Sequence, residues 1–291
     1  MAIVTTVVGS YPVKALKPEE AIQRAVTDQI EAGIDIISDG QVRADMIGIF
    51  AQKIPGYDCS GKGYKVKSKI DIPPEPITIA DYYYAKSLAG DTKVKGILTG
   101  PTTMAMASSL AEGAPYQSIT DPAFIMDLAE VLAYEARALR GAGAQIIQID
   151  EPFFSIGADL EAGFKALERV TGEAELAILH VCGDVRPIFQ KLLDAPVAIL
   201  DIEGANLADL PWVNRELLQD KGKKISYGCI SSNTDEVESL ELVIDRIKYA
   251  IEKIGKENLW LSPDCGLRLR TREAALEKLK RMVKAASLFE A

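Results

Sequence analysis

His180 and Cys182 stand two residues apart in Leu179-His180-Val181-Cys182, and His180 is the only histidine in the 291-residue chain. Imidazole nitrogen and thiolate sulfur are donors that zinc prefers, and a catalytic zinc site keeps one position open for water or substrate. Two further donors follow short apolar runs: Glu203 in Asp201-Ile202-Glu203-Gly204, and Cys265 in Ser262-Pro263-Asp264-Cys265-Gly266-Leu267. Each also has a bland explanation, a carboxylate at a helix N-terminus for Glu203 and a small buried residue for Cys265. A zinc ion deprotonates a thiol that coordinates it. Two cysteine thiolates and a carboxylate would match or exceed the ion's charge, leaving an added sulfur electron-rich, which suits alkyl transfer to sulfur. Hydrolytic zinc sites use neutral histidines to keep the bound water acidic, and this chain has one to offer. The sequence therefore predicts Zn2+ held by His180, Cys182, Glu203 and Cys265. Its rival from another class is a closed structural zinc site or a thiol sensor built from the same residues.

These side chains need a frame that brings distant segments to one point. Short β-branched runs recur at residues 3–8, 34–38, 96–99, 145–149, 176–179, 197–200, 225–228 and 259–261. Between them lie segments of helical period, clearest at 18–32, 122–141, 160–170, 186–193, 237–254 and 272–288. Eight such alternations predict an α/β fold, a (β/α)8 TIM barrel, as a single catalytic domain over residues 1–291. The 43–94 stretch is too long for one helix and carries Pro73, Pro74 and Pro76, so it reads as a hairpin and helix inserted after strand 2. Ser10, Asp39, Asp150, His180, Asp201, Cys229 and the 262–265 segment all fall at or just past the C-terminal ends of the expected strands. That is the face where barrel enzymes keep their chemistry.

Composition removes several classes of partner. A formal charge of -9 leaves no broad basic surface for a phosphate backbone, so nucleic acid is not expected. No apolar stretch reaches the roughly 18 residues of a membrane helix, and 1–8 runs into strand-like sequence without a basic leader, so a cytoplasmic protein with no membrane partner is expected. Four scattered cysteines are too few for a disulfide framework and stay open for metal or redox chemistry.

The motifs together resemble the C-terminal catalytic barrel of cobalamin-independent methionine synthase. The likeness runs through Thr5-Thr6-Val7-Val8-Gly9-Ser10-Tyr11-Pro12, Asp39-Gly40-Gln41-Val42-Arg43-Ala44-Asp45-Met46, Gly100-Pro101 and Ile147-Gln148-Ile149-Asp150-Glu151-Pro152. It continues in His180-Val181-Cys182, Ile202-Glu203 and Pro263-Asp264-Cys265-Gly266-Leu267. It implies methylation of homocysteine to methionine, with zinc ligands that fall on the same four residues and chiefly strengthen Glu203. It also implies that Val8, Gly9, Ser10 and Asp150 bind the substrate's amino-acid end. Ser10 and adjacent N–H groups can hold a carboxylate, and Asp150 can pair with an ammonium. No catalytic residue beyond the zinc-activated thiolate is expected.

Two departures from the family pattern bear on the methyl donor. The family has a second, N-terminal barrel that helps bind folate, and a histidine before the segment that here reads Ile230-Ser231-Ser232-Asn233. The family's glutamate near Gln41 is also replaced or shifted. Because a departing folate nitrogen needs a proton whereas cobalt(I) does not, the missing histidine points to methylcobalamin or a methylated corrinoid protein as donor. A methyltransferase acting on another thiol, such as coenzyme M, is similar in its His-x-Cys and distant Cys, and Asp150 is what separates it, since a sulfonate thiol has no ammonium to pair.

Overall fold

The computed structural model describes residues 2–13, 16–206 and 213–289. In chain order, the first half contains β1 (Val4–Thr5), α1 (Pro18–Glu31), β2 (Ile36–Ile37), α2 (Gly48–Ala51), β3 (Tyr57–Asp58), β4 (Tyr64–Val66), α3 (Ile79–Leu88), β5 (Lys93–Val94), β6 (Gly96–Thr99), α4 (Pro101–Met106), β7 (Ser108–Leu110) and α5 (Pro122–Gly141). The second half contains β8 (Ile146–Asp150), α6 (Leu160–Thr171), β9 (Leu176–Val181), α7 (Phe189–Leu192), β10 (Ile199–Glu203), α8 (Arg215–Lys221), β11 (Lys224–Ile230), α9 (Leu240–Ile254), β12 (Leu259–Pro263) and α10 (Arg272–Ser287).

Seven strands form one curled, all-parallel sheet in the order β1-β12-β11-β10-β9-β8-β6. Strand β2 lies between its two edges: Ile36 bridges to Thr6 on one side, and β2 pairs in parallel with β5 on the other. Only Lys95 separates β5 from β6, and its N–H donates to the Ile37 carbonyl at 2.9 Å. Within the 43–94 stretch, β3 and β4 pair antiparallel and α3 follows them. Strand β7, which the sequence reading missed, adds to β4 in parallel. Arg43 ties this segment down through a paired contact with Asp81 on α3, Nε at 2.5 Å and Nη2 at 2.6 Å. Among the described residues no helix is long and apolar enough to cross a membrane.

Side chains alternate across each strand, so a step of two residues stays on one face. On the outer face, Ile147 and Ile149 join the large core shared with the helices. On the inner face, Ile36, Ile146, Ile178 and Ile199 form a separate apolar cluster. Two residues further along each strand the inner face turns polar, with Ser38, Gln148, His180 and Asp201 all buried. Parallel sheets with both faces covered are ordinarily apolar throughout, so this layer is a departure with a purpose.

The strands run further than their sequence pattern suggested. His180 lies inside β9, Asp150 ends β8, Asp201 and Glu203 lie inside β10, and Cys229 lies inside β11. Backbone pairing Asp150↔His180↔Asp201 continues through them because their side chains meet each other rather than water. Two helices are shorter than expected. Of 186–193 only Phe189–Leu192 is α-helical, and the helix expected from 237 starts at Leu240, where the Ser239 hydroxyl caps the Leu242 N–H and Glu238 is drawn instead to Lys278. Helix α4 escaped notice despite Pro101 at its first position, a common helix start.

Candidate metal centre

The carboxy ends of these strands surround a cavity of about 430 Å³ whose wall includes Val8, Ser10, Gln41, Asp150, His180, Cys182 and Cys265. The ligand-capable atoms of His180, Cys182 and Cys265 all lie within 4.8 Å of one another. Ligands about 2.0–2.3 Å from a tetrahedral zinc stand roughly 3.3–3.8 Å apart, a difference that sub-ångström side-chain movement closes. The imidazole is prepared for such a role. Its Nδ1 is 2.7 Å from Asp201 Oδ1, and its Nε2 is buried with no hydrogen-bond partner. A histidine whose Nδ1–H is given to a carboxylate offers Nε2 as a bare donor, the usual arrangement behind a metal-bound histidine. Burial opposes charging of His180, but Asp201 and the Cys265 sulfur outweigh it and raise its pKa. The two sulfurs interact as well. The closeness of the two thiols lowers the pKa of Cys182 and, with burial, raises that of Cys265. A buried nitrogen without a hydrogen-bond partner, beside two sulfurs and in surroundings that favour positive charge on the ring, fits a zinc ion in the proton's place.

Glu203 is not among the three clustered donors. Its Oε1 accepts the Gly183 N–H at 2.7 Å, and its Oε2 accepts the Asn206 amide at 3.0 Å, so the carboxylate ties the loop after β9 to the one after β10. The second loop is held from its other side by Asp264 Oδ1, which accepts the N–H groups of Gly204 at 2.7 Å and Ala205 at 2.9 Å. Gly204 has to be glycine, because a Cβ there would lie 2.0 Å from the Tyr227 ring.

The four residues expected to hold the substrate split into two walls. Val8, Gly9 and Ser10 form the end of the first strand's run, and Ser10 is locked by Leu267 N–H donating to its carbonyl at 2.9 Å. A side chain at Gly266 would place Cβ 2.0 Å from Ser10 Oγ, and one at Gly9 would collide with Ile97 and Gln41, so two glycines keep this wall thin. Asp150 is the facing wall, 4% exposed, its Oδ1 accepting from Gln148 Nε2 at 2.7 Å. Its neighbour Glu151 turns away and caps α4, accepting from Thr102 N at 2.9 Å, Thr103 N at 2.7 Å and Thr103 Oγ1 at 2.6 Å. That contact joins the Gly100-Pro101 and Asp150-Glu151-Pro152 motifs into one unit.

Around the cavity, sequence reasoning marked Gln41 only as a departure from the family pattern and passed over Lys95 and Gln148. Gln41 holds a positive φ of 46°, its N–H donates to Asp39 Oδ1 at 3.0 Å, and its Nε2 is buried without a partner. Lys95 and Gln148 lie beneath the cavity as buried polar side chains. Their signal was a polar residue on the inner face of an otherwise β-branched strand run.

The protein compares with known ones as follows. A 41% identical relative, spanning 99% of this chain and all of its own, is the methionine synthase of Methanothermobacter marburgensis. The methionine synthase of Methanocaldococcus jannaschii is 37% identical over 99% of this chain and its own full length. A B12-independent methionine synthase from Shewanella sp. W3-18-1, solved with selenomethionine, shares the fold with a TM-score of 0.86 at 24% identity, covering 99% of this chain and 98% of that one. The profile of a family described as cobalamin-independent synthase, catalytic domain, matches residues 13–288. That description contradicts the methylcobalamin or corrinoid-protein donor expected from the missing histidine. The inference failed because a leaving amine can take its proton from another acid or from water at an open mouth, so one absent imidazole does not select the donor. With a profile matched over residues 13–288 and relatives matched over their full length, the chain belongs to the cobalamin-independent synthase catalytic-domain family.

Proposed function

We propose that the chain is a zinc-dependent S-methyltransferase that converts homocysteine to methionine, built as a single (β/α)8 barrel over residues 1–291 with 43–94 inserted at its mouth. The observation that carries the reading is the buried, partnerless Nε2 of His180 beside two cysteine sulfurs, in the same cavity as Ser10 and Asp150. His180, Cys182 and Cys265 would hold the ion, with Glu203 as the fourth ligand. Bound there, zinc supplies the positive charge that keeps a neighbouring thiol deprotonated at neutral pH.

The remaining work falls to the protein's own groups. Ser10 and the N–H groups beside it take the substrate carboxylate, and Asp150 pairs with its ammonium, so the thiol is held at a fixed distance from both. Asp201 fixes the His180 ring. The thiolate sulfur then forms its bond to the methyl carbon as the bond from that carbon to the donor breaks, and the donor keeps the electron pair and takes a proton. The family description favours a methylated reduced folate as the donor, as does the name of a 28% identical Halalkalibacterium halodurans relative, 5-methyltetrahydropteroyltriglutamate–homocysteine methyltransferase. This chain covers 37% of that relative's length.

X-ray absorption at the zinc edge, with and without homocysteine, tests the acceptor half. Gain of one sulfur neighbour on adding homocysteine supports the reading, and an unchanged coordination shell refutes it in favour of a closed structural site. Methionine formation from 5-methyltetrahydrofolate and from its triglutamate tests the donor half.

A further inference from the structure

Directly beneath the cavity sits a buried lysine for which zinc chemistry has no need. Lys95 is 2% exposed, and its Nζ donates to the Val7 carbonyl and, at 2.5 Å, to Gln148 Oε1. Gln148, fully buried, uses both hydrogens of its amide in the other direction: Nε2 donates to the Val8 carbonyl and to Asp150 Oδ1, each at 2.7 Å. Two side chains thus grip two consecutive carbonyls of the segment leading to Ser10 and, at the same time, one oxygen of Asp150. Burying a lysine in an otherwise apolar strand costs several kcal/mol unless its contacts compensate. The floor one layer down is apolar, so packing alone gives no reason for a cation and an amide at this level.

We propose that Lys95 and Gln148 act as a positioning pair that sets the distance and orientation between the carboxylate-binding wall, Val8 to Ser10, and the ammonium-binding Asp150, and so selects an α-amino-acid thiol over a plain thiol. The proposal rests on the homocysteine reading above and assigns this pair no contact with the substrate. The amide orientation is the one that permits it, because Gln148 must present its oxygen to Lys95 and its nitrogen to both walls. The Lys95 charge also lies near Asp150 and Asp201, where it offsets two buried carboxylates.

The test is a comparison of thiols in the zinc-loaded protein. Gln148→Leu, Lys95→Met and the double variant are assayed with homocysteine and with 2-mercaptoethanol, alongside zinc content and calorimetric titration of homocysteine. The double variant leaves neither partner unpaired, so it keeps the test usable where a single variant fails to fold. Loss of hydrogen bonds to a charged group predicts that KM and Kd for homocysteine rise at least about tenfold, with kcat changed less than about threefold. The KM for 2-mercaptoethanol and the zinc content should hold, and the double variant should be no worse than Gln148→Leu alone. Equal losses with both thiols, loss of zinc, unchanged homocysteine affinity, or failure of all three variants to fold would each overturn the proposal. A wild-type protein that shows no preference for homocysteine over 2-mercaptoethanol would instead refute the functional reading on which it rests.

Discussion

The Nδ1 of His180 and the Oδ1 of Asp201 lie 2.7 Å apart on adjacent, directly paired residues of β9 and β10. Backbone register sets the two side chains next to each other, and their hydrogen bond fixes which nitrogen of the imidazole faces the two cysteines. Second-layer partners of this kind typically govern metal affinity by about 10–100-fold. Asp201→Asn should weaken zinc binding by about that factor while leaving far-ultraviolet dichroism unchanged, as read by competition with a chromophoric chelator. Zinc affinity equal to wild type would remove Asp201 from the metal centre.

Asp150 should matter to the amino acid and not to the ion. Replacing it with alanine is expected to raise KM for homocysteine by about 10–100-fold, the size of a lost charge-assisted contact, with zinc stoichiometry unchanged. Should affinity for homocysteine survive, a thiol without an ammonium, such as coenzyme M, becomes the better substrate.

Gly100 is under a tight steric demand near the site. A Cβ there would stand 2.2 Å from the Glu151 carboxyl carbon, and Glu151 cannot retreat without releasing three donors. Gly100→Ala should destabilise the protein by about 2–4 kcal/mol in urea unfolding, from overpacking plus the lost cap. A change below about 0.5 kcal/mol would mean that the α4 end yields easily.

Glu151 also predicts a slope of stability with pH. Burial pushes its pKa up to about 7, against three hydrogen bonds that favour its charge. The folded protein therefore holds this proton more tightly than the unfolded chain does. The stability it contributes is full below the unfolded value near 4.5 and is lost as pH rises to about 7. Between pH 5 and 8 the wild type should lose on the order of 2–3 kcal/mol more than Glu151→Gln. Parallel curves for the two proteins would contradict that assignment.

Much of the candidate centre was legible in advance because a zinc site would constrain residue type so narrowly. A lone histidine two residues before a cysteine, with a second cysteine after a late strand, left few arrangements open, and the fold brings those three together. Glu203 was less legible, since a carboxylate after a strand fits equally well as a loop tie, and the structure has it bonded to Gly183 and Asn206. Strand ends were misjudged for a common reason. Hydrophobic pattern stops where polar residues begin, yet in β9 and β10 the ladder continues while the inner face changes character. Lys95 and Gln148 were hidden by that same change, because their meaning depends on three segments meeting, 7–8, 95 and 148–150, and no local pattern reports such a meeting.

The isoleucine floor formed by Ile36, Ile146, Ile178 and Ile199 has a kinetic corollary. It closes the strand interior beneath the polar layer, so whatever occupies the cavity enters and leaves at the carboxy ends of the strands.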